Sequence, residues 1–164
     1  MRDKGFSLVE LIVVLVLISL SISVVAPSLS RVSKTIDLKT AAKKISAILR
    51  YCRSEAINKG KVYQVFFDSE SREVKVQPVA SSEENGDDAK KNDKDSPKIY
   101  PLPVGVNMKE VKTESPQYPS DLPTIEFYPS GGSNGGTIHL DIDDRNGYKI
   151  KVNFLTGVVA IEKV

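Results

Sequence analysis

From Phe6 to Ala26 the chain is almost wholly apolar, and the only charge within the run is Glu10. As a helix these residues would span roughly 31 Å, at about 1.5 Å per residue, and a bilayer core is about 30 Å thick. Backbone groups in lipid must be satisfied within the segment, so the run is expected to be helical. Ser19, Ser21 and Ser23 are tolerable there, because their hydroxyls can bond back to carbonyls one turn earlier. A cleaved secretory signal is the competing reading. It would have a shorter apolar core, and Ser21-Ile22-Ser23 or Ser23-Val24-Val25-Ala26 mimics its cleavage site only weakly.

A chain of 164 residues suits one such anchor and one modest domain. Its 23 Lys and Arg nearly balance its 21 Asp and Glu, which argues against a dedicated nucleic-acid binder. The single cysteine, Cys52, excludes an internal disulfide and any multi-cysteine metal cage. The single histidine, His139, excludes zinc sites that need two. With so little catalytic equipment, a structural or assembly role stands ahead of an enzyme, and no catalytic residue, cofactor or metal is expected.

Glu10 is the informative residue of the run. A carboxylate inside a spanning segment costs on the order of 2.5–3.5 kcal/mol, so it needs a partner. No cation lies near it in the apolar run. Its partner must come from the leader Met1–Gly5, from another chain, or from a new N-terminus. A cut after Gly5 would leave the amine of Phe6 about one helical turn from Glu10.

Lys4-Gly5-Phe6-Ser7-Leu8-Val9-Glu10-Leu11 resembles the prepilin signal of type IV pilins and type II secretion pseudopilins. Pro27 also sits where many of these proteins carry a helix-bending proline. The resemblance implies cleavage by a prepilin peptidase between Gly5 and Phe6, N-methylation of Phe6, and a role for Glu10 in assembly. It also implies a cytoplasmic leader and a periplasmic remainder. The count of bases near the run points the other way. Arg2 and Lys4 precede it, whereas Arg31, Lys34, Lys39, Lys43 and Lys44 follow it. The leader motif outweighs that count, because folded domains translocate despite charge.

Beyond Pro27, apolar residues recur at Leu29, Val32, Ile36, Ala41, Ala42, Ile45, Ile48, Leu49, Cys52, Ala56 and Ile57. Steps of three and four predict one amphipathic helix stripe, ended by Gly60. Residues 31–61 hold nine bases and two acids, a net of +7, read as a solvated face or as a contact for acidic surfaces of neighbouring subunits. Cys52 falls on the stripe, as a buried inert thiol. Strands are expected at Val62–Phe67, Glu73–Val79, Ile125–Tyr128, Thr137–Ile142, Tyr148–Phe154 and Val158–Glu162. Asp68–Arg72 and the Asn146-Gly147 pair supply turns. Residues 81–98 read as a flexible insertion, and the prolines from 97 to 123 as irregular extended chain. In the strand pattern, Tyr148, Ile150, Val152 and Phe154 face inward, while His139 and Asp141 face outward.

Phe127-Tyr128-Pro129-Ser130-Gly131, Gly135-Gly136-Thr137-Ile138 and Thr156-Gly157-Val158-Val159 look like the GspH/FimT group of minor pseudopilins and minor pilins. The resemblance implies an α+β, pilin-like fold, with a long N-terminal helix packed on a C-terminal antiparallel β-sheet. The expected organisation is a leader at 1–5, a membrane or filament-core helix at 6–27, an amphipathic helix at 28–60 and a periplasmic β domain at 61–164. It implies a minor pseudopilin of a type II secretion system, anchored by one pass in the bacterial inner membrane and later part of the pseudopilus. Its implied partners are other major and minor pseudopilins, the prepilin peptidase, the inner-membrane assembly platform and secreted cargo. A minor pilin of a type IV pilus, serving adhesion, motility or DNA uptake, is the alternative.

Three other patterns carry less. Gly131-Gly132-Ser133-Asn134-Gly135 fits G-x-S-x-G, but no helix is expected after it, as a nucleophile elbow requires. Asp141, Asp143, Asp144 and Asn146 gather oxygen ligands, yet Arg145 breaks the EF-hand order, and calcium binding is left open. DNA-binding relatives use arginines around the closing glycine. Here 156–161 has none, which speaks against nucleic acid.

Overall fold

A computed structural model describes residues 7–79, 97–142 and 147–164, with backbone alone for 23–32. One helix, α1, runs Leu8–Lys59, and Pro27 lies inside it. Among the described residues eight strands follow: β1 Tyr63–Asp68, β2 Glu73–Pro78, β3 Lys98–Pro101, β4 Asn107–Thr113, β5 Thr124–Phe127, β6 Gly136–Asp141, β7 Tyr148–Val152 and β8 Val159–Lys163. The chain divides into two compact units, Met1–Ile36 and Asp37–Val164.

In the second unit α1 turns one stripe inward. Leu38, Ala41, Ala42, Ile45, Leu49, Cys52 and Ala56 are buried together with Val65, Phe67, Ile125, Phe127, Ile138 and Ile150 in one cluster. Cys52 has no exposed surface, and burial pushes its thiol up to about 12, so it stays an unreactive small hydrophobe. The helix ends where Gly60 takes a left-handed φ of 64°, the conformation that closes a helix without steric cost.

The strands form two four-stranded antiparallel sheets rather than one. Their orders are β3-β2-β1-β5 and β4-β6-β7-β8. The β1–β2 hairpin closes through the expected turn, with Asp68 opposite Glu73. The Asp68 carboxylate accepts from Ser71 N–H at 2.9 Å and from Lys75 Nζ at 3.1 Å. β3 and β4 form where irregular chain was expected: β3 is an edge strand, which tolerates Pro101 at its end, and β4 is a proline-free edge strand of the other sheet. β3 is stapled to α1 by Lys98 over the Tyr51 ring at 5.5 Å, and by Lys44 over the Tyr100 ring at 6.0 Å. Lys98 thus belongs to a strand, not to the insertion expected at 81–98, of which residues 81–96 lie outside the described residues.

Other expectations also change. Phe154 points outward at 66% exposure, since β7 stops at Val152 and a turn reverses the chain. Asp141 is buried and lies 3.7 Å from Lys109, where a bulge between Met108 and Glu110 shifts the β4–β6 register. Ile36 and Ile57, placed on the apolar stripe, are exposed. The residues 143–146 that carry the expected Asn146-Gly147 turn are outside the described ones.

Polar groups inside the unit are matched to donors. Glu126 is fully buried in β5. Its carboxylate accepts from Gln64 Nε2, Gln117 N–H, Tyr118 N–H and Tyr128 O–H at 2.7–3.1 Å. Burial, then the bond to Glu126, pushes the Tyr128 phenol up to about 12, so it remains a donor. Asn134 closes the free edge of β5: its Oδ1 accepts from Glu126 N–H, and its Nδ2 donates to Thr124 O and Glu114 O.

Among the described residues Ser46 Oγ is the exception, buried without a partner. Ser46→Ala removes an unsatisfied hydroxyl from a helix and is expected to raise stability by about 1 kcal/mol. Urea denaturation of the full chain in detergent would show this as a higher midpoint, and a lower midpoint would contradict it. A second expectation concerns pH. Ser71 N–H and then Lys75 depress the Asp68 carboxyl from 3.8 to about 2. The stability this contributes is present above about pH 4 and is lost as pH falls through about 2. Asp68→Asn should therefore flatten the decline of melting temperature over that window, and an unchanged slope would refute the assignment.

Candidate assembly site

The start of α1 is built by Ser7. Its Oγ accepts from Glu10 N–H at 3.2 Å, and its carbonyl accepts from Leu11 N–H at 3.2 Å. Ser7 is thus the N-cap and Glu10 the third helical residue, the positions of a capping box. The sequence reading missed this, although Ser-x-x-Glu before an apolar run is its signature. The cap fixes where the helix begins and places Glu10 in the first turn, where the helix dipole favours an anion. Gly5 and Phe6, the expected cleavage and methylation positions, lie outside the described residues.

From Ser7 to Ile22 every residue is exposed, with Leu8 at 74% and Val14 at 41%. Leu, Ile and Val occupy all sides of this stretch, so no single stripe could hide it. Ser19 and Ser21 donate to Leu15 O and Leu17 O at 2.8 Å, as expected, while the Ser23 side chain is not among those described. Among the described residues, no ion pair reaches Glu10, and no helix is long and apolar enough to cross a membrane. The run is described with its side chains only from Ser7 to Ile22.

The glycine motifs near the C-terminus meet at an arginine from α1. Arg53 Nε donates to Gly131 O at 3.1 Å and Thr156 O at 2.9 Å. Arg50 Nη2 donates to Val159 O at 3.2 Å. Gly157 has a φ of 62°, and a Cβ there would stand 2.5 Å from Gly131 O. The turn before β8 also draws on Asn153 Oδ1, which accepts from Leu155 and Thr156 N–H. These residues therefore bind two loops to the helix. No spacing in the sequence announced Arg53, because its partners are carbonyls far along the chain.

The remaining candidates are placed as follows. Ser133 Oγ accepts from Gly135 N–H, and Ser133 bridges to Phe127 ahead of β6. The G-x-S-x-G stretch is thus a loop leading into a strand. His139 lies between Glu110 and Lys149 in adjoining strands. Asp143, Asp144 and Asn146 are outside the described residues. Among those described, no three His, Cys, Asp or Glu are grouped to hold a metal ion. Lys149 and Lys151 lie on β7.

Gly157→Ala forces a side chain into a left-handed position against a carbonyl. It should lower stability by about 3 kcal/mol, while Arg53→Ala should cost about 2. Denaturation midpoints of the two variants test this, and a loss under about 0.5 kcal/mol for Gly157→Ala would contradict the close packing.

Comparison with known proteins places these features. A family model described as "Type II transport protein GspH" matches residues 41–156, and one described as "Prokaryotic N-terminal methylation motif" matches residues 1–26. The type II secretion system protein H of Xanthomonas campestris pv. campestris is 29% identical over 156 residues, covering 95% of this chain and 81% of that protein. The minor pseudopilin EpsH of Vibrio cholerae has a similar fold, with a TM-score of 0.55 at 14% identity, over 77% of this chain and 96% of EpsH. The type IV minor pilin FimU of Pseudomonas aeruginosa gives a TM-score of 0.55 at 17% identity, over 79% of this chain and 91% of FimU. The pseudopilin and pilin likenesses establish the fold, and the expected pilin-like α+β class holds.

Proposed function

Because this chain belongs to the GspH family of type II transport proteins, we propose that it is a minor pseudopilin of a type II secretion system. It assembles with other major and minor pseudopilins into the periplasmic pseudopilus that drives export of folded proteins. The observation that carries this reading is the helix from Leu8 to Ile22, apolar on all sides and exposed throughout. Such a surface needs lipid or other helices around it. The family match separates this reading from a type IV minor pilin, which the fold alone does not.

The methylation motif at residues 1–26 supports maturation by a prepilin peptidase between Gly5 and Phe6, with methylation of Phe6. The mature chain then waits in the inner membrane by a single pass, its β domain in the periplasm, and enters the filament through the assembly platform. Glu10 gains a cationic partner when it meets the amine of Phe6 on an adjoining subunit. That pair relieves the cost of a lone carboxylate in an apolar setting, so it favours the assembled state. Secreted cargo or other minor subunits face the β domain. The role needs no chemical step by this chain.

The test is complementation of a strain lacking the gene. Restoring the natural chain should return exported enzymes from the periplasm to the medium. Glu10→Ala should reach the membrane at normal levels yet lower incorporation into the pseudopilus by tenfold or more, of the order of one lost buried ion pair. Normal incorporation of that variant would overturn the pairing. Unchanged secretion with loss of surface pili would assign the chain to a type IV pilus instead.

A further inference from the structure

Among the described residues each sheet ends in two edge strands. An open edge is a row of free N–H and C=O groups, which pairs with another chain unless it is blunted. Three of these four edges are blunted. In β3, Pro101 lacks an N–H, and its carbonyl accepts from Lys44 Nζ at 3.2 Å. The free edge of β5 is closed by Asn134. β4 is interrupted by its bulge between Met108 and Glu110 and is regular only from Glu110 to Thr113. β8 has neither proline nor bulge, and every one of its residues stays in register with β7.

Hydrogen bonds fix which groups of β8 face outward. Asn153 N–H donates to Val158 O, and Gly147 and Val164 exchange both bonds. Bonded and non-bonded pairs alternate along an antiparallel ladder. Ala160 and Glu162 therefore bond to β7, while Val159, Ile161 and Lys163 turn their N–H and C=O away from it. Arg50 Nη2 takes Val159 O. Among the described residues, no group bonds the outward N–H and C=O of Ile161 or Lys163. Carried across β7 and β6, the same alternation turns Val111 and Thr113 of β4 outward at the opposite edge of the sheet. Charges on the exposed face add a pattern. Glu162 closes the cross-strand row of Glu110, His139 and Lys149. Lys151 faces only Thr137 and Ala160 across the strands, with no carboxylate opposite it.

We propose that the open edge of β8 pairs with the β4 edge of a second copy of this chain, so that the sheet continues from one subunit into the next. The inference rests on the filament reading above and deepens it by naming a contact between β domains. Strand direction alternates from β4 through β6 and β7 to β8, so β8 runs opposite to β4. Subunits anchored in one membrane share an orientation, and β4 of one copy then arrives antiparallel to β8 of the other. A head-to-tail contact of this kind builds a filament unless its rotation closes a ring. Charge selects the register. With Ile161 opposite Thr113 and Lys163 opposite Val111, outward groups meet outward groups. Glu162 then faces Lys112, and Glu114 comes opposite Ala160, beside the unmatched Lys151. A slip of one residue breaks the hydrogen-bond phase. A slip of two sets Glu162 against Glu110 or Glu114, and like charges directly opposite are destabilising.

The experiment uses full chains with two distinguishable tags, made together in cells that carry the whole secretion system. One carries Lys112→Cys and the other Glu162→Cys, and the membranes are oxidised with copper phenanthroline. A disulfide joining the two tags is expected, and chains with only the natural, buried Cys52 should give none. Lys163→Pro removes one outward N–H and spares the bonds to β7. It should lower the yield about fivefold, as one lost hydrogen bond does. A melting temperature close to that of the natural chain would show this variant folded, and Thr113→Pro on the opposing edge serves if it is not. Equal yield from Glu110→Cys with Glu162→Cys would overturn the register. A disulfide from Glu162→Cys to a different protein, or between two Glu162→Cys chains, would overturn the choice of occupant. Absence of the product in cells where this chain restores secretion overturns the edge pairing and leaves the function standing. Failure of the natural chain to enter the pseudopilus at all would instead overturn the reading beneath it.

Discussion

Burial of one stripe of α1 holds the β domain together. Two four-stranded sheets of short strands each leave an apolar face that must be covered, with Val65, Phe67, Ile125 and Phe127 in one and Ile138, Leu140, Ile150 and Val152 in the other. Leu38, Ile45 and Leu49 of the helix are buried in one cluster with residues of both sheets, each large side chain contributing about 1.5–3 kcal/mol on burial. The same helix begins with residues that no stripe organises, Leu8 to Ile22, apolar all round. One continuous element therefore obeys two rules. Where its apolar residues repeat at three and four it packs on its own chain, and where they are unbroken it needs a different environment.

Polar devices then fix what the core does not reach. Arg53 binds the Gly131 and Thr156 loops, Asn134 closes the edge of β5, and Glu126 gathers four donors from three segments. Asn134 and Glu126 are buried and satisfied, and Arg53 is half-buried, so the devices specify loop positions without leaving these groups unpaired in the core. The glycines of these loops are explained by this arrangement. Gly157 is required because the Gly131 carbonyl lies where a Cβ would stand.

Much of this was legible in the sequence, for physical reasons that can be named. The α1 stripe, the β1–β2 hairpin and the Gly60 stop each depend on neighbours a few residues apart. The family was legible at Lys4–Leu11 and in the glycine motifs. What was not legible depends on distant partners. β3 was hidden by Pro101, which an edge strand tolerates, and β4 by the prolines that flank it at 103 and 116, and the split into two sheets is a tertiary choice that strand patterns do not encode. Phe154 continues an alternating pattern in the sequence, but Asn153 starts a turn there by accepting from Leu155 and Thr156. Arg53 is one base among nine in its segment, and only the fold shows which carbonyls it meets. The cap at Ser7 is different: it is local and readable, but the charge of Glu10 masks its part in starting the helix.

The central claim is that the apolar helix is the membrane-held, filament-forming end of a processed chain. Intact mass and N-terminal sequencing of the protein extracted from inner membranes test it most directly. The expected product is a chain beginning at Phe6, carrying one methyl group on its amine and retaining the whole apolar run. A chain cut after Ser23 or Ala26, or one still beginning at Met1 in cells with an active prepilin peptidase, would contradict it.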